Sequence, residues 1–217
     1  MTDLIVQKFG GTSVANLDRI EKVAEIIKSS AENNDVVVVI SAMAGETDRL
    51  FNLGQKYFNQ DNVREMDALL STGEVVSSSL LAMCLSSLGL KAKSFNASQL
   101  KLMTKKDSSN KFATILSIDT ALIKNEIAQG VIPIITGFQG VDEKGDFTTL
   151  GRGGSDTTAV AVAAELKAKE CQIYTDVKGV FSADPNKVND ARVLECVTSE
   201  EMLELSGQGA KVLALRS

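Results

Sequence analysis

Residues 149–159 read TLGRGGSDTTA, a turn with three glycines and an arginine that opens an apolar helix. A helix start presents unpaired backbone N–H groups and the positive end of the helix dipole, and glycines let a phosphate approach the backbone without meeting a Cβ atom. Arg152 adds a planar cation that can clamp a carboxylate or a phosphate. The stretch therefore predicts an anion-binding turn, although an ordinary turn with Ser155 or Asp156 as the helix N-cap would have the same pattern.

A second glycine turn lies near the start of the chain. The strand-like segment 4–6 leads to Lys8 and the loop 10–13, GGTS, and an amphipathic helix follows around residues 20–27. Two such turns suggest a nucleotide together with a phosphate acceptor. A Walker A loop has its lysine after the last glycine, and a dinucleotide fingerprint would need a third glycine where Asp156 stands, so both of these motifs are excluded.

Composition limits the fold and the chemistry. The 217 residues are 44% apolar and carry a formal charge of 23 − 28, or −5, which allows a sizeable core and argues against nucleic-acid binding. The chain has no histidine, which excludes a Ser-His-Asp triad and most catalytic zinc sites. Its three cysteines have no CxxC spacing, so disulfides and zinc are not expected. The sequence shows no signal peptide and no apolar run of about 20 residues, so we expect a soluble, cytoplasmic protein without membrane contact.

Strands that alternate with helices predict an α/β fold with a mostly parallel sheet between helices, as one domain over residues 1–217. The run 36–40, VVVVI, is typical of a strand buried on both faces. Further strands are predicted at 4–6, 92–95, 131–136 and 171–174, helices at 49–59, 63–70, 74–88, 119–129 and 159–166, and a hairpin at 140–147. Ligands of such sheets bind beyond the carboxyl ends of strands. The residues expected at those ends are Lys8, Ser41, Gly137, Arg152 and Asp176.

Seven colinear motifs span nearly the whole chain. They are KFGGTSV at 8–14, SAM at 41–43, TGE at 72–74, GFQG at 137–140, LGRGGSDTT at 150–158, YTDV at 174–177 with ADP at 183–185, and GAKVL at 209–213. Together they resemble the amino-acid kinase family, and within it the catalytic domain of the aspartate kinases. The resemblance implies a carbamate kinase-like fold. It also implies transfer of the γ-phosphoryl group of MgATP to the side-chain carboxylate of L-aspartate, giving 4-phospho-L-aspartate, the first step toward lysine, threonine, methionine and isoleucine.

The resemblance also assigns residues to the parts of a site. The catalytic pair would be Lys8 and Asp156. The phosphates of ATP would lie against Lys8, Phe9, Gly10, Gly11, Ser13, Ser41 and Lys211. The nucleoside would lie against Thr175, Asp176, Phe181, Ser182, Ala183, Asp184, Pro185 and Asn186. The aspartate would lie against Thr47, Glu74, Arg152, Gly153, Gly154 and Ser155.

The chemistry of this reaction agrees with the residue set. A carboxylate with a pKa near about 4 is already ionised at pH 7, so the acceptor needs no general base. Phosphoryl transfer needs charge stabilisation and in-line positioning, which Lys8, the glycine N–H groups and Mg²⁺ can supply. Asp156 can orient Lys8 or the metal shell. Arg152 can pair with the α-carboxylate of the substrate and Glu74 with its α-ammonium group.

Simpler roles remain open for four of these residues. Glu74 can be a first-turn acid of a helix, Asp156 an N-cap, Lys211 a surface lysine and Thr47 an ordinary loop hydroxyl. Two other functions also remain open. One is another kinase of the same fold, acting on acetylglutamate, glutamate or UMP, and the other is a nucleotide-binding subunit without turnover.

The chain departs from the family pattern in two places. Lys178 and Asn186 stand where many relatives have an acid and an arginine, so the affinity for the nucleotide is placed in doubt. Relatives continue beyond the equivalent of Ser217 into regulatory ACT domains that bind lysine or threonine. From the 217 residues alone we expect that these domains are absent, that lysine and threonine do not inhibit, and that oligomers are no larger than a homodimer.

Overall fold

A five-stranded parallel sheet forms the centre of the fold, in a computed structural model that describes residues 2–106, 112–177, 179–183 and 188–207. The strands are β1 (Asp3–Phe9), β2 (Asn34–Ile40), β3 (Ala92–Phe95), β4 (Met103–Lys105), β5 (Thr114–Ser117), β6 (Ile132–Thr136), β7 (Gln139–Val141), β8 (Phe147–Thr149) and β9 (Glu170–Tyr174). The helices are α1 (Leu17–Ala31), α2 (Glu46–Gln55), α3 (Val63–Ser87), α4 (Ala121–Ala128), α5 (Gly154–Leu166) and α6 (Ser199–Gly207), with short 3₁₀ helices at Gly11–Val14 and Gln60–Asn62.

The central sheet has the strand order β3-β6-β2-β1-β9, and every neighbouring pair is parallel. The predicted burial of β2 on both faces is confirmed, because all residues from Val36 to Ile40 are buried. Val36 and Val38 join the core under α1 and α3, whereas Val37 and Val39 join the core under α4 and α5. The fold is therefore a mostly parallel sheet between two helical layers, as predicted.

A second, four-stranded sheet has the order β5-β4-β7-β8. Its β7–β8 pair is antiparallel and matches the predicted hairpin. The strands β4 and β5 were not predicted, because three or four partly exposed residues give too short a pattern to recognise. This sheet positions the glycine turn before α5, because β8 ends at Thr149, directly before that turn.

The predicted break between helices 63–70 and 74–88 is wrong, because one continuous helix, α3, covers both. Gly73 lies inside this helix. A Cβ atom at Gly73 would stand 2.9 Å from the Cβ atom of Ala42, so glycine here permits close packing rather than ending a helix. Glu74 consequently lies in the middle of α3, and its interpretation as a first-turn acid is also wrong.

The expectation that no segment has membrane-spanning length needs a correction. By length and composition alone, the helical stretch Gln60–Ser87 could cross a membrane. Within the fold, however, α3 buries Asp67, Glu74 and several serines, and its apolar side packs in the core with Leu81 and Leu85. Buried polar groups that contact the rest of the protein are typical of a core helix.

Candidate functional site

Strand β1 ends in a lysine and a glycine pair that pack against the next loop. The ammonium Nζ of Lys8 is 3.4 Å from the point where a Cβ atom of Gly10 would stand. A Cβ atom at Gly11 would stand 2.9 Å from the carbonyl oxygen of Ala42. The backbone N–H of Gly10 donates to the carbonyl of Tyr174 in β9 at 3.3 Å. The glycines therefore keep backbone and ammonium close together, as an approaching phosphate requires.

Lys8 forms an ion pair with Asp156 on α5. Its Nζ lies 2.6 Å from Oδ1 of Asp156, and the two side chains are 9% and 13% exposed. Apart from this ion pair, Oδ1 of Asp156 has no hydrogen-bond partner among the described residues. The structure thus joins the two residues that the sequence assigns to catalysis, although they lie far apart in the chain.

The glycine turn before α5 has the backbone of an anion-binding helix start. Gly151 and Gly153 adopt φ values of +77° and +74°, which side chains with a Cβ atom disfavour. Gly153 is the N-cap of α5, so the interpretation of Ser155 or Asp156 as the N-cap is wrong. Arg152 is exposed on this turn, and no hydrogen bond or ion pair joins its guanidinium group to the part of the chain that the structure describes.

Close packing fixes this helix start to the end of β6. A Cβ atom at Gly137 would lie 2.6 Å from Oγ of Ser155 and 2.9 Å from its Cα atom. The next residue, Phe138, has a φ of +68°, a strained value for a side chain of this size. Gly154 and Ser155 are themselves buried, so they support the turn.

Glu74 is the buried carboxylate of the site. It is 2% exposed, and its Oε1 accepts a hydrogen bond of 3.0 Å from the backbone N–H of Ala42. Its Oε2 is buried and has no hydrogen-bond partner among the described residues. Burial raises the pKa of Glu74 to about 7, and the N–H of Ala42 opposes this rise. A buried oxygen without a partner is suited to a ligand that brings its own donor, such as an ammonium group.

The loop after β2 links Glu74 to the glycine turn. Ser41 donates its backbone N–H to the carbonyl of Phe9 at 3.1 Å. Ser77, one turn after Glu74 on α3, donates its hydroxyl to the carbonyl of Ser41 at 2.8 Å. Ser77 and Ala42 support Glu74 in this way, and neither role was predicted from the sequence. The i, i+3 spacing of Glu74 and Ser77 in the predicted helix 74–88 was a signal for Ser77, whereas the contact with Ala42 joins distant segments and has no local signal.

The remaining predicted residues lie around this centre. Phe9 is fully buried and stacks on Tyr174 with ring centroids 4.6 Å apart, so a nucleotide could meet only its backbone. Ser13 is half-buried in the 3₁₀ helix, and Thr47 is half-buried in the first turn of α2.

The residues predicted for the nucleoside follow β9. Thr175 and Asp176 are exposed, and the Thr175 hydroxyl donates to the Asp176 carboxylate at 3.2 Å. Phe181 forms a β-bridge with Val193, and the backbone N–H of Ser182 donates to the carbonyl of Arg192 at 2.9 Å. Ala183 is half-buried. The predicted residues that lie outside the described part of the chain are Asp184, Pro185, Asn186 and Lys211, together with Lys178.

No group of three or more acidic, cysteine or histidine side chains that could hold a metal ion occurs in residues 2–106, 112–177, 179–183 and 188–207. The site therefore consists of a buried ion pair, two glycine turns, one buried carboxylate and one exposed arginine. Such an arrangement can hold an anion of high charge next to a small molecule that carries an ammonium group.

Comparison with known proteins identifies the family of the chain. The amino acid kinase family matches residues 3–217. A protein named aspartate kinase from Pseudomonas putida is 54% identical over 215 residues, which cover 99% of this chain and 52% of the relative. The chain thus spans about half the length of the curated relatives it matches.

Solved structures of similar proteins give the same result. The structure of aspartate kinase from Synechocystis is 43% identical with a TM-score of 0.82, and the match covers 98% of this chain and 35% of that one. Aspartokinase III of E. coli, solved in complex with aspartate and ADP in the R-state, is 28% identical with a TM-score of 0.84, and the match covers 99% of this chain and 58% of that one.

Proposed function

Because the chain belongs to the amino acid kinase family, as its motifs predicted, we propose that it carries out the catalytic step of an aspartate kinase. The reaction is transfer of the γ-phosphoryl group of MgATP to the side-chain carboxylate of L-aspartate, which gives 4-phospho-L-aspartate. The support is the 54% identity to an aspartate kinase and the likeness to an aspartokinase solved with aspartate and ADP. In a cell the enzyme would be cytoplasmic and would begin the synthesis of lysine, threonine, methionine and isoleucine.

The observation that carries the proposal is the connection between Glu74 and the Lys8–Asp156 pair. Glu74 bonds to the backbone of Ala42, whose carbonyl packs on Gly11, beside Lys8. A carboxylate that suits an ammonium group is therefore connected, through the Ala42 loop and the glycine pair, to a cation that suits phosphate oxygens. A phosphate acceptor with an amino group fits this combination, and L-aspartate has the required carboxylate as well.

Within this site the residues divide the work by charge. Arg152 would pair with the α-carboxylate of aspartate, and Glu74 with its α-ammonium group. The side-chain carboxylate, already ionised at neutral pH, would then face the phosphoryl group without a general base. Lys8 and the N–H groups of the two glycine turns would stabilise the charge that develops during transfer. Asp156 would hold the Lys8 ammonium in place.

Mg²⁺ fits the site as part of the nucleotide rather than as a resident ion. Magnesium in phosphoryl-transfer sites is held by one or two carboxylates and by substrate phosphates. Asp156 would supply such a carboxylate beside the Lys8 ammonium. The ion would neutralise charge on the phosphates.

Thr47 would border the aspartate, and Thr175, Asp176 and Phe181 would border the nucleoside.

The proposal is tested by measuring ADP release with aspartate, glutamate, acetylglutamate and UMP as acceptors in turn. Hydroxylamine in a parallel reaction traps an acyl phosphate as a hydroxamate, which separates aspartate phosphorylation from plain ATP hydrolysis. We expect hydroxamate and ADP in equal amounts with aspartate, and Lys8→Ala as the matched blank. A higher kcat/KM with another acceptor, or ADP release that does not depend on aspartate, would contradict the proposal.

A further inference from the structure

A buried carboxylate outside the site just described, Asp67, joins α3 to the strand before the glycine turn. Its side chain is 10% exposed. Oδ1 accepts a hydrogen bond of 2.8 Å from the hydroxyl of Thr149, the last residue of β8, and Oδ2 lies 3.3 Å from the ammonium of Lys106. Both carboxylate oxygens thus have partners, so the charge is compensated and the group can serve as a fixed anchor.

Asp67 is linked to both residues proposed to bind the charged groups of aspartate, Glu74 on α3 and Arg152 on the turn after β8. It precedes Glu74 by seven residues on α3, which is two turns, so the two carboxylates lie on the same helix face about 10 Å apart along the axis. Thr149 precedes Arg152 by three residues, a reach of at most about 11 Å. The hydrogen bond between Asp67 and Thr149 therefore links the helix that carries Glu74 to the turn that carries Arg152.

The backbone of Thr149 is already occupied, which leaves its side chain for this link. Thr149 pairs with Gln139 in the β7–β8 hairpin, and its carbonyl accepts from the N–H of Ala113. Gln139 in turn donates its side-chain amide to the carbonyl of Ser71 on α3 at 2.9 Å. The hairpin therefore lies along one face of α3. The hydrogen bond between Asp67 and Thr149 lies at the end of β8, next to the glycine turn that carries Arg152.

We propose that Asp67 is a positioning residue that sets the separation of Glu74 and Arg152 through Thr149, and thereby the affinity for the amino-acid substrate. This inference rests on the proposed function. The glycine turn at Lys8 is held by other contacts, to Tyr174 and Ala42, so the binding of ATP to that turn should be unaffected. The N–H groups of the turn at Arg152 would move together with Arg152. Displacement of a binding group by about 1 Å can cost up to about a hundredfold in rate, so loss of the link should raise the KM for aspartate and lower kcat, while the KM for ATP stays nearly unchanged.

The test uses steady-state kinetics of four single variants and one double variant, with aspartate and ATP varied in turn. Thr149→Val removes the donor and keeps the shape, whereas Thr149→Ser keeps the hydroxyl. Asp67→Ala removes the acceptor. Glu126→Gln is the matched control. Glu126 lies on another helix, α4, is as buried as Asp67, and pairs with the ammonium of Lys93 at 2.8 Å.

We expect Thr149→Val and Asp67→Ala to raise the KM for aspartate about tenfold or more, with the KM for ATP nearly unchanged. Thr149→Ser should restore the wild-type KM, and Glu126→Gln should alter thermal stability without altering either KM. The double variant of Asp67→Ala with Thr149→Val should resemble the single variants, because both remove one link. If Asp67→Ala fails to fold, the comparison of Thr149→Val with Thr149→Ser decides.

The outcomes separate the inference from the function on which it rests. A wild-type protein that forms no hydroxamate from aspartate overturns the proposed function. An active wild type in which Thr149→Val changes stability alone, or raises both KM values equally, overturns the positioning role of Asp67 and leaves the proposed function intact.

Discussion

Replacing Glu74 by glutamine should make the protein more stable at pH 8 while making it a poorer enzyme. Burial raises the pKa of Glu74 from 4.5 to about 7. The folded state therefore binds more protons than the unfolded state between these values, and stability falls as the pH rises through that interval. At about 1.4 kcal/mol for each pKa unit, the ionised side chain destabilises the folded state by about 3 kcal/mol above pH 7.

Glutamine removes this cost but introduces a smaller one. Its amide oxygen can still accept from the N–H of Ala42, whereas its NH₂ group would occupy the place of Oε2, which has no partner in the described structure. A buried donor without a partner costs about 1 kcal/mol or more. The net gain at pH 8 should be about 2 kcal/mol, or about 4 to 8 °C in melting temperature for a chain of this size. At pH 5, where Glu74 is neutral in the folded protein, the gain should vanish.

The assay is thermal and urea unfolding of Glu74→Gln and wild type at pH 5, 6, 7 and 8, combined with kinetics. We expect kcat/KM for aspartate to fall about ten- to a hundredfold, because a charge-assisted hydrogen bond to the ammonium group is lost. Glu126→Gln, which loses an ion pair to Lys93, should lose stability at pH 8. A Glu74→Gln protein less stable than wild type at pH 8, or one that binds ATP and aspartate equally weakly, would refute the reasoning.

Further variants test other parts of the site. Lys8→Ala should lower kcat by about two to three powers of ten, since one preorganised donor is lost; circular dichroism should show a folded protein, Lys93→Ala is the control, and retention of most of kcat would remove Lys8 from catalysis. Arg152→Lys should raise the KM for aspartate about tenfold, because an ammonium group cannot bind a carboxylate with two parallel hydrogen bonds; an unchanged KM would exclude that pairing. Gly73→Ala should lower the melting temperature and kcat/KM despite a better helix propensity of about 1 kcal/mol, because its Cβ atom would stand 2.9 Å from Ala42; a stabilised, active variant would contradict this. The kcat/KM for aspartate of the wild type should rise between pH 6 and 8 as Glu74 ionises, and a flat profile would contradict its proposed role.

Local sequence patterns predicted the elements whose residues repeat with a clear period. The β-branched run of β2 and the apolar face of α1, formed by Ile20, Val23, Ala24 and Ile27, are both as expected. The hairpin β7–β8 was also predicted, because glycine and aspartate mark its turn. These elements depend on residues close to one another in the sequence, so the pattern of one sequence is enough to predict them.

The features that were missed depend on contacts between distant segments. The helix α3 continues through Gly73 because Gly73 packs against Ala42, a residue distant in sequence. The N-cap of α5 is Gly153, which has a left-handed backbone and no capping side chain, so the usual N-cap residue types do not mark it. The Lys8–Asp156 pair was predicted from family resemblance and not from spacing, since β1 and α5 are separated by most of the sheet in sequence. Tertiary packing of this kind overrides the local preference of glycine to end a helix.

The site is built at a cost to the free fold, and the same features explain why a ligand would fit it. Glu74 carries a buried oxygen without a hydrogen-bond partner among the described residues, and Phe138 adopts a strained backbone. Strain and unsatisfied polar groups persist where the surrounding structure enforces them, and they concentrate at functional sites. An ammonium group bound at Glu74 would satisfy the free oxygen of this carboxylate. Binding of the substrates should therefore compensate for the free energy that these groups remove from the unliganded protein.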